Sequence, residues 1–186
     1  MKILLINNNT RHLENLQKSL VGHEIEIQMY KPELEFHDQD KDLVILSGGG
    51  GEGLEIDDKI DRGRLWYEDE MEFALRTKKP LIGICMGFEV ICRAYGRDIP
   101  KMDKLLLRQT QLSTTQKGRA LFATSKLSQY EAHQWHVTEA PAGFEVLADS
   151  AFGIEIIKKG NIFAAQFHPE KPGSLDLSMI ISDLVA

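Results

Sequence analysis

Gly83-Ile84-Cys85-Met86-Gly87 follows the short apolar run Leu81 to Gly83 and precedes a segment with helical spacing. A cysteine with glycines two residues to either side, between strand and helix, matches a nucleophile elbow with a thiol in place of the hydroxyl. The backbone doubles back at such a turn, so the flanking residues have to be small. A helix beginning at Cys85 or Met86 aims its first unpaired N–H groups at the sulfur and favours the thiolate, which is the reactive form. Taken alone, the same residues also fit a buried cysteine in a tight turn. A second group, Gln166-Phe167-His168-Pro169-Glu170, ends an apolar run. Proline holds His168 in extended backbone, and side chains two apart on an extended segment project to one side. The Glu170 carboxylate can then orient the His168 ring, which makes a base with its orienter. A third group, Ser47 to Gly53, contains Gly48-x-Gly50-x-x-Gly53. The dinucleotide reading of that spacing fails because residues 54–61 carry four acids where a helix N-terminus would meet phosphate. No Lys-Ser/Thr follows, so the phosphate-loop reading fails too. Unhindered glycine backbone at a strand end is better suited to donate N–H to a developing oxyanion.

These groups need elements to hold them. Lys2 to Ile6 reads as a buried strand, and Leu13, Leu16 and Leu20 as a helix closed by Gly22. His23 to Met29 and Asp42 to Leu46 read as strands. Trp66 to Arg76 has helical spacing, Pro80 to Ile84 is another buried strand, and Gly87 to Tyr95 another helix. This alternation of apolar strands and helices predicts an α/β fold: an open, twisted, largely parallel sheet with helices on both faces. In the second half Leu105 to Leu107, Glu145 to Ala148, Gly153 to Ile157 and Ile162 to Phe167 read as strands, and Leu175 to Val185 as a closing helix. Ligands are expected at the carboxyl ends of the strands.

The 186 residues suit one domain, and 28 acidic against 22 basic side chains give a net charge of −6. That sign argues against nucleic acid as a partner. The first apolar run is too short for a membrane span or a signal-peptide core, so a cytoplasmic protein without membrane contact is expected. Two cysteines make no disulfide framework, and Cys92, two helical turns after Cys85, reads as core packing. The acid-rich stretch Glu52 to Glu72 reads as a solvated face.

In chain order, the Leu-Ser-Gly-Gly loop, the Gly-x-Cys-x-Gly elbow and Gln-Phe-His-Pro-Glu resemble the class I (triad-type) glutamine amidotransferases and the related γ-glutamyl hydrolases. The resemblance covers essentially the whole chain. It implies a flavodoxin-like fold and a single amidotransferase domain over residues 1–186. Cys85 would be the nucleophile, His168 the general base and then acid, and Glu170 its orienting carboxylate. The N–H groups of Gly49 and Met86 would form the oxyanion hole. Glutamine or a γ-glutamyl compound would be the substrate, a synthase partner the ammonia acceptor, and no cofactor is called for.

Two departures bear on the substrate. The family's elbow usually continues to a Gln four residues after the cysteine, and here that position is Glu89. On a helix it shares a face with Cys85, where it would bind the substrate's α-ammonium group and oppose thiolate formation. Amidotransferases usually carry Pro at the position of Gly50, so the loop here is softer. His133, in His133-Gln134-Trp135-His136, aligns with a substrate-pocket histidine of the family. No third ligand at zinc spacing follows, so pocket lining is expected and no metal. Glu89, His133 and Gly50 are thus expected around the substrate. The alternatives to an ammonia-supplying glutaminase are a stand-alone γ-glutamyl hydrolase, which Glu89 favours, and a non-catalytic regulatory relative.

Overall fold

The structure, a computed structural model, describes residues 1–49, 60–61 and 64–185. In chain order the elements are β1 (Lys2–Asn7), α1 (Leu13–Ser19), β2 (Glu24–Met29), β3 (Leu43–Leu46), β4 (Ile60–Asp61), β5 (Arg64–Leu65), α2 (Glu68–Arg76), β6 (Leu81–Ile84) and α3 (Met86–Ala94). They continue with β7 (Lys101–Thr114), α4 (Gln116–Phe122), β8 (Lys126–Trp135), β9 (Glu145–Ser150), β10 (Gly153–Lys159), β11 (Ile162–Ala165) and α5 (Leu177–Val185). Nine strands form one sheet in the order β2-β1-β3-β6-β11-β10-β9-β7-β8, and β4 pairs only with β5. The first five sheet neighbours run parallel. β10, β9, β7 and β8 continue the sheet antiparallel. The expected α/β architecture is therefore present, with a larger antiparallel half than the apolar runs suggested.

Strands β1, β3, β6 and β11 are buried on both faces, as their unbroken apolar runs require. One face packs Leu16 and Leu20 beside Leu177, Ile180, Ile181 and Leu184 of α5. The other takes Phe73 and Ala74 of α2 and Phe88, Ile91 and Cys92 of α3. Gly22 adopts a φ of 94° in the turn after α1, and Cys92 is fully buried as core.

The long hairpin of β7 and β8 was visible in the sequence only as Leu105 to Leu107, and α4 and β8 not at all. The reason lies in the inward face of β8, which is Gln129, Glu131 and His133, all buried. A strand whose hidden face is polar shows no hydrophobic alternation.

Two glycines let the elbow close. A Cβ at Gly87 would lie 2.3 Å from the Leu46 carbonyl oxygen, and one at Gly83 would lie 2.6 Å from that of Gly87. The start of α3 thus rests directly on the backbones of β3 and β6. Beside it, Glu70 of α2 departs from the solvated face expected of the acid-rich stretch: it is fully buried. Asn8 Nδ2 donates to Glu70 Oε1 at 2.9 Å, and the Asn8 N–H donates to Ser47 Oγ at 2.9 Å. Burial pushes the Glu70 carboxyl up to about 8 against the opposing pull of the Asn8 bond.

Gly87→Ala is expected to lower the unfolding free energy by about 1–3 kcal/mol or more, because the backbone it meets cannot retreat. A urea midpoint equal to that of the parent would contradict this packing. Glu70 holds a proton in the fold at pH values where the unfolded chain, near 4.5, has released it. Its contribution to stability is complete below pH 4.5 and lost as pH rises towards about 8. Glu70→Gln should remove that part of the decline, so that the difference in stability between variant and parent shifts in the variant's favour from pH 5 to pH 9. A difference that stays constant with pH would show Glu70 to be ionised in the fold.

Candidate active site

Strand β6 ends at Ile84 and helix α3 starts at Met86, so Cys85 must reverse the chain alone. It does so with φ 50° and ψ −103°, a conformation that costs energy for any residue but glycine. The turn is held by the Cys85 N–H donating to the Ala165 carbonyl at 2.8 Å and the Glu89 N–H donating to the Cys85 carbonyl at 3.1 Å. Cys85 Sγ faces the Ala132 carbonyl of β8 at 3.8 Å.

His168 and Glu170 follow β11, whose carboxyl end lies beside that of β6. His168 Nδ1 is 2.8 Å from Glu170 Oε1, and both side chains are buried. This is the orienting contact expected from their spacing: with Nδ1 held by the carboxylate, Nε2 is left to exchange protons. The His168 N–H donates to the Tyr130 carbonyl at 3.0 Å, and the His12 ring packs edge-on against the imidazole with centroids 4.9 Å apart. Gly48 sits between the two reactive groups. A Cβ there would lie 3.0 Å from His168 Cε1 and 3.5 Å from Cys85 Cβ. Gly49 lies against Met86, where a Cβ would come within 2.6 Å of Sδ.

These residues open onto a cleft of about 240 Å³ at the carboxyl ends of β3, β6 and β11. Cys85, Met86, Gly49, Glu89, His133 and His168 all line it, and Glu170 stands behind His168. The structure therefore brings together every residue expected at the site except Gly50, which lies outside the described residues. Four further lining residues, Arg11, His12, Trp66 and Trp135, come from distant segments. Nothing local in the sequence marks them.

The electrostatics differ from the expectation at one point. Burial pushes the Cys85 thiol well above its ordinary range, and the charges of Glu89 and Glu170 push the same way. The Met86 N–H and the Gln166 side chain pull it down, so the helix start does act on the sulfur but is outweighed. A thiol kept protonated needs a base to take its proton. Gln166, quoted in the sequence only as part of a motif, also donates from Nε2 to Glu89 Oε1 at 2.9 Å. It thereby links the unusual carboxylate to the neighbourhood of the nucleophile. Chemically, the site offers a buried nucleophile, a carboxylate-held imidazole and a helix start beside glycine backbone.

The family model described as glutamine amidotransferase class-I matches residues 4–185. The chain is 27% identical over 177 residues to the glutamine-hydrolyzing subunit of GMP synthase from Methanocaldococcus jannaschii, covering 90% of this chain and 87% of that protein. It is 24% identical over 201 residues to the HisH subunit of imidazole glycerol phosphate synthase from Listeria welshimeri, covering 96% and 92%. Among solved structures, a Thermoplasma acidophilum protein assigned as a GMP synthase subunit superposes with a TM-score of 0.79 at 22% identity. That match covers 100% of this chain and 92% of the other, and it speaks to the fold.

Removing the Glu89 charge should lower the energy of the Cys85 thiolate. Glu89→Gln is expected to speed iodoacetamide alkylation of Cys85 at pH 7 by roughly three- to tenfold, followed on the Cys85 peptide by mass spectrometry. An unchanged or slower rate would mean that Glu89 does not act on the sulfur.

Proposed function

The chain belongs to the class I glutamine amidotransferases, and we propose that it is a single-domain glutaminase that supplies ammonia to a synthase partner. The observation that carries the reading is the strained Cys85 turn, with Gly48 filling the space between it and a His168 ring held by Glu170. In this reading His168 Nε2 takes the Sγ proton as sulfur attacks the side-chain amide carbon of glutamine. The oxyanion that forms is met by the N–H groups of Gly49 and Met86. Collapse breaks the C–N bond, the amide nitrogen leaves as ammonia with the proton from His168, and a γ-glutamyl thioester stays on Cys85. Water then attacks the thioester with His168 as base, giving glutamate and the free thiol. Glu170 keeps the imidazole in the tautomer each step requires. No metal or organic cofactor enters these steps.

Glu89 gives one specific reason to keep a second reading, hydrolysis of γ-glutamyl amides or peptides without an acceptor. The carboxylate lines the cleft, where it would receive the α-ammonium group of a γ-glutamyl moiety. A charged hydrogen bond of that kind contributes about 1.5–3 kcal/mol, so Glu89→Gln would cost roughly tenfold or more in kcat/KM on such a substrate.

A diazo-ketone glutamine analogue should label Cys85 alone, and Cys85→Ala should abolish both labelling and ammonia release. Glu170→Ala should reduce kcat/KM for glutamine by roughly 10²–10⁴ while leaving the fold intact, as expected when the tautomer of the base is lost. Labelling of Cys92, or undiminished ammonia release without Cys85, would overturn the assignment. Comparing kcat/KM of the parent and Glu89→Gln on glutamine and on a γ-glutamyl peptide separates the two readings. Loss on the peptide alone favours the hydrolase, and gain on glutamine favours the amidotransferase.

A further inference from the structure

The polar inward face of β8 leads to a group of side chains that the glutaminase steps do not use. His133 Nδ1 lies 2.6 Å from the Trp135 carbonyl oxygen, and because a carbonyl only accepts, the ring proton sits on Nδ1. Nε2 then carries its lone pair, buried and without a hydrogen-bond partner, 3.7 Å from Glu131 Oε2. Glu131 Oε1 and Glu155 Oε2 are also buried without hydrogen-bond partners. The opposite oxygen of each carboxylate is held in place: Thr110 Oγ1 donates to Glu131 Oε2 at 2.8 Å, and Ser150 Oγ donates to Glu155 Oε1 at 2.6 Å. One ligand atom from each of Glu131, His133 and Glu155 lies within 4.8 Å of those of the other two. The three residues are 0%, 4% and 1% exposed.

Two carboxylates aimed at an imidazole lone pair repel one another and it, and away from water nothing screens them. A positive centre among the three atoms reverses every one of these interactions. We propose that Glu131, His133 and Glu155 bind one divalent transition-metal cation, Zn²⁺ or Mn²⁺, which braces the β7–β8 hairpin against β10. An imidazole with two carboxylates selects such ions over Mg²⁺ and Ca²⁺, which prefer all-oxygen shells. The outer contacts are those a metal site needs. Trp135 fixes the histidine tautomer with Nε2 facing the ion, and Thr110 and Ser150 orient the carboxylates. A doubly charged ion balances the two carboxylates. Ligand bonds of about 2.1 Å place tetrahedral ligands about 3.4 Å apart, so a modest inward rotation of the side chains completes the shell. Glu131 and Glu155 belong to no local metal motif, because one stands two residues before His133 and the other on β10. His136, the other member of His-x-x-His, is directed elsewhere, with Nδ1 2.8 Å from the Phe152 carbonyl.

The brace would reach the cleft through β8 itself. Its Ala132 carbonyl faces Cys85 Sγ, its Tyr130 carbonyl accepts from the His168 N–H, and His133 lines the cleft.

The test uses the full chain carrying Cys85→Ala, which removes the reactive thiol as a competing zinc ligand. After EDTA treatment and dialysis, ZnCl₂ and MnCl₂ are titrated in a calorimeter and melting is followed with and without each metal. The expected result is one equivalent bound of at least one metal, with a raised melting temperature, and affinity lower by roughly tenfold or more in Glu155→Gln and Glu131→Gln. Should those variants fail to fold, Thr110→Val keeps all three ligands, removes one orienting hydroxyl, and is expected to weaken binding about tenfold. The proposal is overturned if neither metal binds stoichiometrically or shifts melting of the Cys85→Ala chain, or if every variant that folds binds as tightly as it does. A cluster held by protons alone would give the first of those results, with Glu155→Gln melting higher than its parent.

Discussion

Three backbones meet at the start of α3 at separations that leave no room for a side chain. Gly87 stands on the Leu46 carbonyl, Gly83 stands on Gly87, and the Cys85 N–H bonds the Ala165 carbonyl. Because β3, β6 and β11 are adjacent and parallel, all three converge at the same end of the sheet. The positive φ of Cys85 follows from this convergence, since only one residue separates strand from helix. The strain is retained because the surrounding buried core over-determines it. From that turn follow the position of the sulfur, the direction of the Met86 N–H, and the place of Gly48 and Gly49 beside them.

The same burial that makes the turn rigid makes the thiol hard to ionise. Desolvation and the carboxylates of Glu89 and Glu170 oppose the thiolate, and one helix N–H with one amide side chain does not compensate. A helix start is worth about 0.3–1 kcal/mol near a surface, whereas burial of an ion away from water costs several. Reactivity at such a sulfur therefore depends on the neighbouring base. The His168–Glu170 contact, buried and short, supplies one whose geometry is set before substrate arrives. Glu70 applies the same physics one layer back. It is kept neutral by burial and ties Asn8, and through it Ser47, to the strand end that carries Gly48 and Gly49.

The antiparallel half of the sheet serves the site in a different way. β7 and β8 pair along most of their length, while β7 meets β9 only at Ser113 and Thr114. The free part of the hairpin can then turn its polar face towards β10 and the end of β11. There Gln129 accepts from the Leu175 N–H, Glu131 and His133 meet Glu155, and Tyr130 and Ala132 offer their carbonyls to the reactive residues. One wall of the cleft is thus built from buried polar groups, which fix a unique register more sharply than apolar packing does.

By itself the sequence determined the parallel half of the sheet, the elbow, and the pairing of His168 with Glu170. Each of these is written in residues a few positions apart: unbroken apolar runs, glycines two from a cysteine, a carboxylate two from a histidine held extended by proline. The resemblance in motif order pointed from there to Gly49, Met86 and Glu89 as neighbours of the sulfur, and all three line the same cleft. Only the tertiary structure decided the rest. It extended Leu105–Leu107 into a fourteen-residue strand, put Glu70 inside, joined Gln166 to Glu89, and brought His12 against His168. It also set Glu155 beside Glu131 and His133. These contacts join residues far apart in the chain through buried polar groups. A polar residue that is satisfied across strands carries no periodic hydrophobic signal, so its burial is fixed by the partners the fold delivers and by nothing in its own neighbourhood.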